Sequence, residues 1–378
     1  MKKIIIKEIF LIVTAIMLVQ CSVEQKKEIP IIKANSTMVD IKEDDVLMKN
    51  LWTIVPEEEL DVYETSAKKV TFYTDIDSIS FKIVPGKTYD FIILLNGKDS
   101  ARTQIKHGKS KLEILKSAEK YNYSDKRFIP EFTYQSADNP NLKKVREELK
   151  LDSIAGKGDE LSQIFNLLYW LHNLVNHENQ YTKTDRNAID IIEFCKKENC
   201  GVNCRMLAIT LNECYLAMGI KSRYITCLPK DSTDSDCHVI NMVYSKDLKK
   251  WIWIDPSFAA YVMDEKGNLL GIQEVRERLI KGKPLILNAD ANYRREIIQN
   301  KEWYLEHYMA KNLYKFSSPL YSEYNLETWQ EGKETIYVEL LPLDEIKQTP
   351  QKIEESYGSA KIIRYKTNNP DLFWVEPK

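Results

Sequence analysis

The sequence predicts an α+β fold, because helical patterns in its middle are followed by consecutive strand-like segments. Between Asp159 and Val175, apolar residues recur at the three- and four-residue spacing of a buried helical face. A second helix is expected from about Cys204 to Met218, because Gly219 suits the left-handed conformation that ends many helices. Three segments typical of strands follow, which favours a largely antiparallel sheet: RYITCL, HVINMVY and WIWID.

Residues 46–110 are predicted to form a small β-domain ahead of these helices. The segments VTFYT, SISFKIV and YDFIILL are short and rich in β-branched and aromatic residues, as strands are. Pro85-Gly86 and Asn96-Gly97 mark turns between them.

Residues 301–378 are expected to form a C-terminal extension of mixed α/β character. One helical pattern covers 272–281, ahead of this extension, and another covers 296–315, at its start. Three strand-like segments follow: IYVELL, KIIRY and LFWVE. These strands either complete the sheet of the preceding domain or form a subdomain of their own.

The N-terminus has the pattern of a secretory signal. A basic start with Lys2, Lys3 and Lys7 precedes an apolar run from Ile9 to Val19. That run is too short to span a bilayer, which takes ~20 apolar residues.

The end of the apolar run, Leu18-Val19-Gln20-Cys21, resembles the lipobox of bacterial lipoproteins. The resemblance implies a signal peptide at 1–20 and lipidation at Cys21, so that the chain is exported and anchored to the cell envelope, facing the periplasm or the cell surface. The alternative is an uncleaved N-terminal anchor. Residues 21–45 are polar and rich in lysine and glutamate, which predicts a flexible tether. The alternative is an ordered arm that packs on the body of the protein.

Composition limits the classes of partner. The formal net charge is −2, and no basic segment provides an electrostatic footprint for nucleic acid. A nucleic-acid partner is therefore not expected.

Six of the seven cysteines fall between Cys195 and Cys237. Such clustering is not the pattern of a disulfide framework, which spreads over a small chain. Zinc is also disfavoured, because the C-x4-C-x3-C spacing lacks a second cysteine knuckle. A hairpin around 229–236 would bring Cys227 and Cys237 near each other, which leaves a disulfide between them open.

Three polar residues lie where a nucleophile, a base and an orienting acid would be needed. Cys204 begins a helix, whose N-terminus stabilises a thiolate. His238 begins one strand and Asp255 ends the next, so on antiparallel neighbours they lie side by side. The carboxylate would then hold the imidazole in the tautomer that accepts the thiol proton.

These residues lie in segments that resemble the transglutaminase-like superfamily. GVNCRMLAITLNECYLAMGIKSRYITC is similar to its Gly-x-Cys helix, DCHVINMVY to its His strand, and WIWIDPSF to its Trp-x-x-Asp-Pro segment. Asn203 is inserted before the cysteine, but Arg205 and Ala208 keep the expected frame. The resemblance implies a papain-like catalytic domain at 111–300, in which the helix that carries the cysteine packs on an antiparallel sheet.

The resemblance implies a Cys-His-Asp thiol enzyme that acts on amide or peptide bonds through an acyl-enzyme. Cys204 would be the nucleophile, His238 the base and Asp255 the orienting acid. Hydrolysis, as in a peptidase or amidase, is favoured over amine transfer because water is far more abundant. A protein, peptide or glycopeptide substrate is expected, and no cofactor or metal. The alternative is a non-catalytic envelope lipoprotein of the same fold that binds peptide or glycan.

The remaining histidines have simpler interpretations. His172 lies on the apolar face of a predicted helix and is expected to be a hydrogen-bonded core residue. His107, His177 and His307 are expected at the surface. Trp251 and Trp253 share a strand face with Asp255 and are predicted to belong to the core.

Overall fold

A computed structural model describes residues 29–56, 60–179, 182–234, 236–346 and 352–378. The predicted signal peptide and Cys21 lie outside these ranges, so lipidation stays a prediction. None of the helices in the described ranges is both long and apolar enough to cross a membrane.

Residues 31–107 form the N-terminal β-domain, in which two four-stranded sheets share a core of their own. One sheet contains, in spatial order, Ile31–Ala34, Thr88–Leu95, Asp99–His107 and Asp61–Thr65. The other contains Val46–Thr53, Met38–Glu43, Lys69–Tyr73 and Ser78–Lys82. Phe72 of one sheet packs on Phe91 of the other, with ring centroids 4.9 Å apart.

The predicted tether at 21–45 is wrong for its second half, because Ile31–Ala34 and Met38–Glu43 are strands of this domain. Val39 and Ile41 are fully buried and alternate with charged residues. That alternation is the period of a half-buried strand, although the high content of lysine and glutamate obscures it. The β-domain therefore begins near residue 31 rather than at 46.

A seven-stranded sheet, called the large sheet below, forms the centre of the rest of the chain. Its strands are, in spatial order, Lys250–Ile254, His238–Ser245, Ser222–Leu228, Lys315–Pro319, Glu334–Leu340, Ala360–Thr367 and Lys352–Tyr357. Neighbours run antiparallel except for one parallel pair, Glu334–Leu340 with Ala360–Thr367. Helices followed by a largely antiparallel sheet confirm the predicted α+β class.

One face of the large sheet is covered by the helices Pro140–Glu148, Leu151–Ala155, Glu160–Leu174, Ala188–Glu198 and Cys204–Ala217. The last of these is central, because every residue from Met206 to Ala217 is buried. A helix that is buried on all sides belongs to the interior of a domain. It is followed by Gly219 in the left-handed conformation, with φ of +76°, as the sequence predicts.

The opposite face packs on the helices Lys111–Lys116 and Ile272–Lys281 and on a π-helix, Glu302–Met309, that continues into Ala310–Asn312. Trp251 and Trp253 belong to this second core, as predicted, while Ile252 and Ile254 belong to the first. A π-helix is rare and is often found at functional sites.

The C-terminal strands complete the large sheet, which is the first of the two arrangements left open by the sequence. LFWVE is not a strand, because Asn369 caps the helix Pro370–Phe373. The helix expected over 296–315 starts only at Glu302, since Ile297–Ile298 pairs with Asn292–Tyr293. The other short elements are Thr133–Tyr134 paired with Tyr321–Ser322, Val262–Met263 paired with Ile286–Leu287, and the helix Leu343–Ile346.

Candidate active site

Cys204 is the first residue of the helix Cys204–Ala217, and Asn203 caps that helix. The Asn203 side chain accepts a hydrogen bond from the N–H of Met206 at 3.1 Å, as asparagine commonly does at this position. The N–H groups of the first turn have no acceptor within the helix and carry the positive end of its dipole. The inserted Asn203 therefore starts the helix at the thiol.

His238 begins the strand His238–Ser245, and Asp255 directly follows the neighbouring antiparallel strand Lys250–Ile254. Nε2 of His238 lies 2.7 Å from Oδ2 of Asp255, and both residues are fully buried. Burial alone would lower the pKa of His238, but the Asp255 carboxylate outweighs this effect and raises the pKa to about 10. The structure thus brings together the histidine and the acid that the sequence places on adjacent strands.

The carboxylate of Asp255 is held by further hydrogen bonds. The hydroxyl of Tyr304 donates to its Oδ2 at 2.6 Å and accepts from Nε1 of Trp253 at 3.2 Å. The backbone N–H of Ser257 donates to Oδ1 at 2.9 Å. These bonds fix the orientation of the carboxylate, and through it that of the imidazole.

Tyr308, one turn further along the π-helix, contacts the other side of His238. Its hydroxyl lies 3.2 Å from Nδ1, and its ring stacks on Trp303 with centroids 5.3 Å apart. Sequence reasoning missed both Tyr304 and Tyr308. Their four-residue spacing is a weak signal in a chain with 21 tyrosines.

His177 is a third residue that sequence reasoning missed. The sequence predicts it at the surface, but it is half-buried and faces the site. It forms a parallel β-bridge with Val202, two residues before Cys204. Burial alone would raise the pKa of the Cys204 thiol, but hydrogen bonds with His177 and His238 outweigh it and lower the pKa to about 6. Such a thiol is mostly ionised at neutral pH, and the thiolate is the nucleophilic form.

Gly201 permits the close approach of these two segments. A Cβ atom at this position would lie 2.4 Å from the carbonyl oxygen of Asn176. Only glycine lets the chain before Cys204 run this close to the segment that carries His177.

The thiol opens into a cavity of about 860 Å³ between the N-terminal β-domain and the large-sheet domain. Cys204, Phe258 and Tyr293 line one part, and Lys49 and Trp52 of the β-domain line another. The predicted small β-domain is therefore a wall of the candidate site.

The other histidines follow the predictions in part. His172 is buried, with Nδ1 at 3.0 Å from the carbonyl of Pro256 and Nε2 at 2.9 Å from Oδ1 of Asn292, as expected for a core histidine. His107 is exposed. The sequence predicts His307 at the surface, but the residue is half-buried and lines the cavity, where burial and nearby lysines lower its pKa to about 4.

All six cysteines between Cys195 and Cys237 are free thiols. Cys227 lies opposite His238 in the sheet, so the predicted hairpin exists without the disulfide that the sequence left open. Burial raises the pKa of Cys195, Cys214 and Cys227, in contrast to that of Cys204. Of these six thiols, only Cys204 has a lowered pKa.

Part of the chain matches a known protein family. Residues 147–256 match the model of the transglutaminase-like superfamily. This segment is a transglutaminase-like domain. It lies within the predicted 111–300, and it contains Cys204, His238 and Asp255.

Two solved structures show distant similarity. A candidate cysteine protease from Cytophaga hutchinsonii is 19% identical, with a TM-score of 0.26 over 34% of this chain and 40% of that one. The transglutaminase of red sea bream is 12% identical, with a TM-score of 0.25 over 61% of this chain and 50% of its own. The chain thus spans half or less of the length of each. No curated protein matches it.

Proposed function

We propose that this protein is a thiol enzyme that acts on amide or peptide bonds through a Cys204 acyl-enzyme. The observation that supports this most is the environment of one thiol. Cys204 begins a helix, has a pKa of about 6, and lies beside a histidine that is hydrogen-bonded to Asp255 at 2.7 Å. This combination of nucleophile, base and orienting acid is that of thiol acyl transfer.

In the proposed reaction, the Cys204 thiolate attacks the carbonyl carbon of the substrate. Protonated His238 gives its proton to the leaving amine, which departs as the acyl-enzyme forms. A water molecule then attacks the acyl group, His238 takes a proton from it, and the acid product leaves with the thiolate restored. Asp255 stabilises the imidazolium in each step in which His238 carries the proton, and its hydrogen bond to Nε2 and the raised pKa of His238 support this role.

Hydrolysis is favoured over transfer to an amine, because water outcompetes amines unless a second site binds the amine. A peptide or glycopeptide is the proposed substrate class, since the cavity of about 860 Å³ combines aromatic rings with charges of both signs. Trp52, Trp303 and Tyr308 supply aromatic surface, while Lys49 and Glu64 supply charge. A non-catalytic peptide- or glycan-binding protein of the same fold is the alternative.

The proposal is tested with p-nitrophenyl acetate, an activated ester that acylates reactive thiols without substrate-specific contacts. We expect the wild type to release a burst of nitrophenol and to gain one acetyl group on Cys204 by mass spectrometry. Cys204→Ala should abolish both signals, whereas Cys200→Ala, a half-buried thiol outside the cavity, should leave them intact. A wild type that releases nitrophenol no faster than Cys204→Ala, either as a burst or at steady state, would favour the binding alternative.

We further propose that the protein is exported and lipid-anchored at Cys21, with 1–20 as its signal peptide. The basic start, the apolar run and the cysteine that ends it support this assignment. Two or more acyl chains on one cysteine would hold the protein stably at a membrane. Cys21→Ser should therefore abolish metabolic labelling with an alkyne fatty acid and leave an unprocessed precursor on a gel. The control Cys200→Ala should be labelled like the wild type. Unchanged labelling of Cys21→Ser would contradict the proposal that Cys21 carries a lipid anchor.

A further inference from the structure

His177 is held next to the nucleophile by backbone pairing. The N–H of Glu178 donates to the carbonyl of Val202 at 2.8 Å, and the N–H of Val202 donates to the carbonyl of Asn176 at 3.0 Å. These two bonds tie the residues on both sides of His177 to the chain that enters the Cys204 helix. The position of the ring relative to the thiol is therefore set by main-chain geometry.

The orientation of the His177 ring is set by Tyr293. Nδ1 of His177 lies 3.0 Å from the Tyr293 hydroxyl, so Nε2 is the ring nitrogen left for the interaction of this side chain with Cys204. Burial raises the pKa of Tyr293, and the hydroxyl keeps its proton and can donate it to Nδ1. A neutral histidine that accepts at Nδ1 must carry its hydrogen on Nε2, which makes Nε2 a donor toward the site.

The two histidines at the thiol differ in what supports them. His238 has a buried carboxylate on its far nitrogen, which suits a group that gains and loses a proton. His177 has a neutral hydroxyl instead, which suits a group that only donates a hydrogen bond. In acyl transfer by a thiol, the carbonyl oxygen becomes an oxyanion that needs such donors.

We propose that Nε2–H of His177 is the side-chain donor that stabilises the oxyanion, together with the backbone N–H of Cys204. The helix supplies the second donor, because the first N–H groups of a helix lack intrahelical acceptors. No bond to His177 forms or breaks, and its hydrogen bond strengthens as negative charge develops on the substrate oxygen. This inference rests on the proposed acyl-enzyme function and assigns a catalytic role that the sequence alone did not indicate.

The experiment compares two reactions of the same thiol. Acylation by p-nitrophenyl acetate passes through an oxyanion, whereas alkylation by iodoacetamide displaces iodide at carbon and forms none. Both rates are measured on the full chain over a pH series, and each is taken at its plateau, where the thiol is fully ionised. The variants are His177→Leu, which removes the donor, and His177→Gln, which retains an N–H donor on the side chain. His107→Ala, an exposed histidine of the β-domain, is the control.

We expect the plateau acylation rate of His177→Leu to fall by about 10²–10³, the effect of losing one oxyanion donor. Its plateau alkylation rate should stay within about threefold of wild type, although the midpoint moves to higher pH because a hydrogen bond to the thiolate is lost. His177→Gln should recover part of the acylation rate.

Three outcomes would overturn the inference. Equal losses of acylation and alkylation in both His177 variants would show that His177 only maintains the site. Acylation unchanged in His177→Leu would show that it stabilises no oxyanion. A wild type that is alkylated but never acylated would overturn the proposed function, and this inference with it.

Discussion

His238→Ala should raise the pKa of the Cys204 thiol from about 6 to at least the ~8.5 of a free cysteine. The reason is that burial of Cys204 disfavours the thiolate, and the variant removes one of the two histidines that counter this effect. A thiol with a pKa of 8.5 is only a few per cent ionised at pH 7. Alkylation at pH 7 should therefore slow by about 30-fold.

A pH series of iodoacetamide labelling, followed by mass spectrometry of the Cys204 peptide, measures the pKa of the Cys204 thiol in the wild type and in His238→Ala. His107→Ala is the matched control, because it removes an exposed histidine from the β-domain. We expect it to reproduce the wild-type profile. If His238→Ala also keeps a midpoint near pH 6, the histidine does not activate the thiol.

The amide-cleaving activity of the wild type should also decrease at high pH. The pKa of His238 is raised to about 10 by Asp255, so the imidazolium that must protonate the leaving group persists well above pH 7. Amide cleavage should thus rise as pH passes about 6 and fall as pH passes about 10. The two values belong to an interacting pair, and the profile reports the titration of that pair.

The three residues that the sequence singled out share one property, which is that local structure places them. Cys204 begins a helix, and His238 and Asp255 lie at the adjacent ends of two consecutive strands, so short-range patterns suffice. Each of the three motifs also matches a segment of the transglutaminase-like pattern. Order and spacing along the chain therefore carried enough information to predict the core of the candidate site.

The rest of the site depends on tertiary contacts that no local pattern records. Tyr304 and Tyr308 reach Asp255 and His238 only because the π-helix packs on the large sheet. His177 lies 27 positions before Cys204 and approaches it through a single β-bridge next to Gly201. Sequence reasoning could find such residues only by first knowing which segments pair.

The β-domain illustrates a different failure. The charged composition of Met38–Glu43 predicts a tether, although Val39 and Ile41 alternate with charged residues as buried strand residues do. This strand pairs with Val46–Thr53, whose residues Lys49 and Trp52 line the cavity. Composition averaged over a window does not reveal an alternation with a period of two. The sequence therefore did not indicate the strand that supports this wall of the cavity.

The second large predicted effect is a loss of stability on substitution of Glu327, a buried carboxylate behind the nucleophile. Its Oε1 accepts hydrogen bonds from Nη1 of Arg205 at 2.8 Å and from the hydroxyls of Tyr337 and Tyr224 at 2.9 and 3.0 Å. Its Oε2 accepts from Nη1 of Arg186 at 3.0 Å. Burial alone would raise the pKa of Glu327, but the two guanidinium groups outweigh it and keep the pKa below its usual value.

Glu327→Ala should lower the free energy of unfolding by about 3–5 kcal/mol, the usual effect of removing one partner from a buried charge cluster. The loss arises because Arg205 and Arg186 keep their charge, and two tyrosine hydroxyls lose their acceptor. Part of the wild-type contribution should also disappear on acidification. A carboxyl whose folded pKa is depressed stabilises the protein above its unfolded pKa of ~4.3, and this stabilisation is lost as pH falls through the folded value.

Urea unfolding at pH 7, followed by tryptophan fluorescence, measures the change. The matched control is Asp152→Ala, which removes an ion pair between Asp152 and Arg146. The side chain of Arg146 is 41% exposed and that of Asp152 is 65% exposed. An exposed pair of this kind contributes at most about 1 kcal/mol. Because Arg205 follows Cys204 directly, Glu327→Ala should also slow alkylation of the thiol, and Asp152→Ala should not. Equal destabilisation by the two variants would show that the buried cluster does not anchor the start of the Cys204 helix.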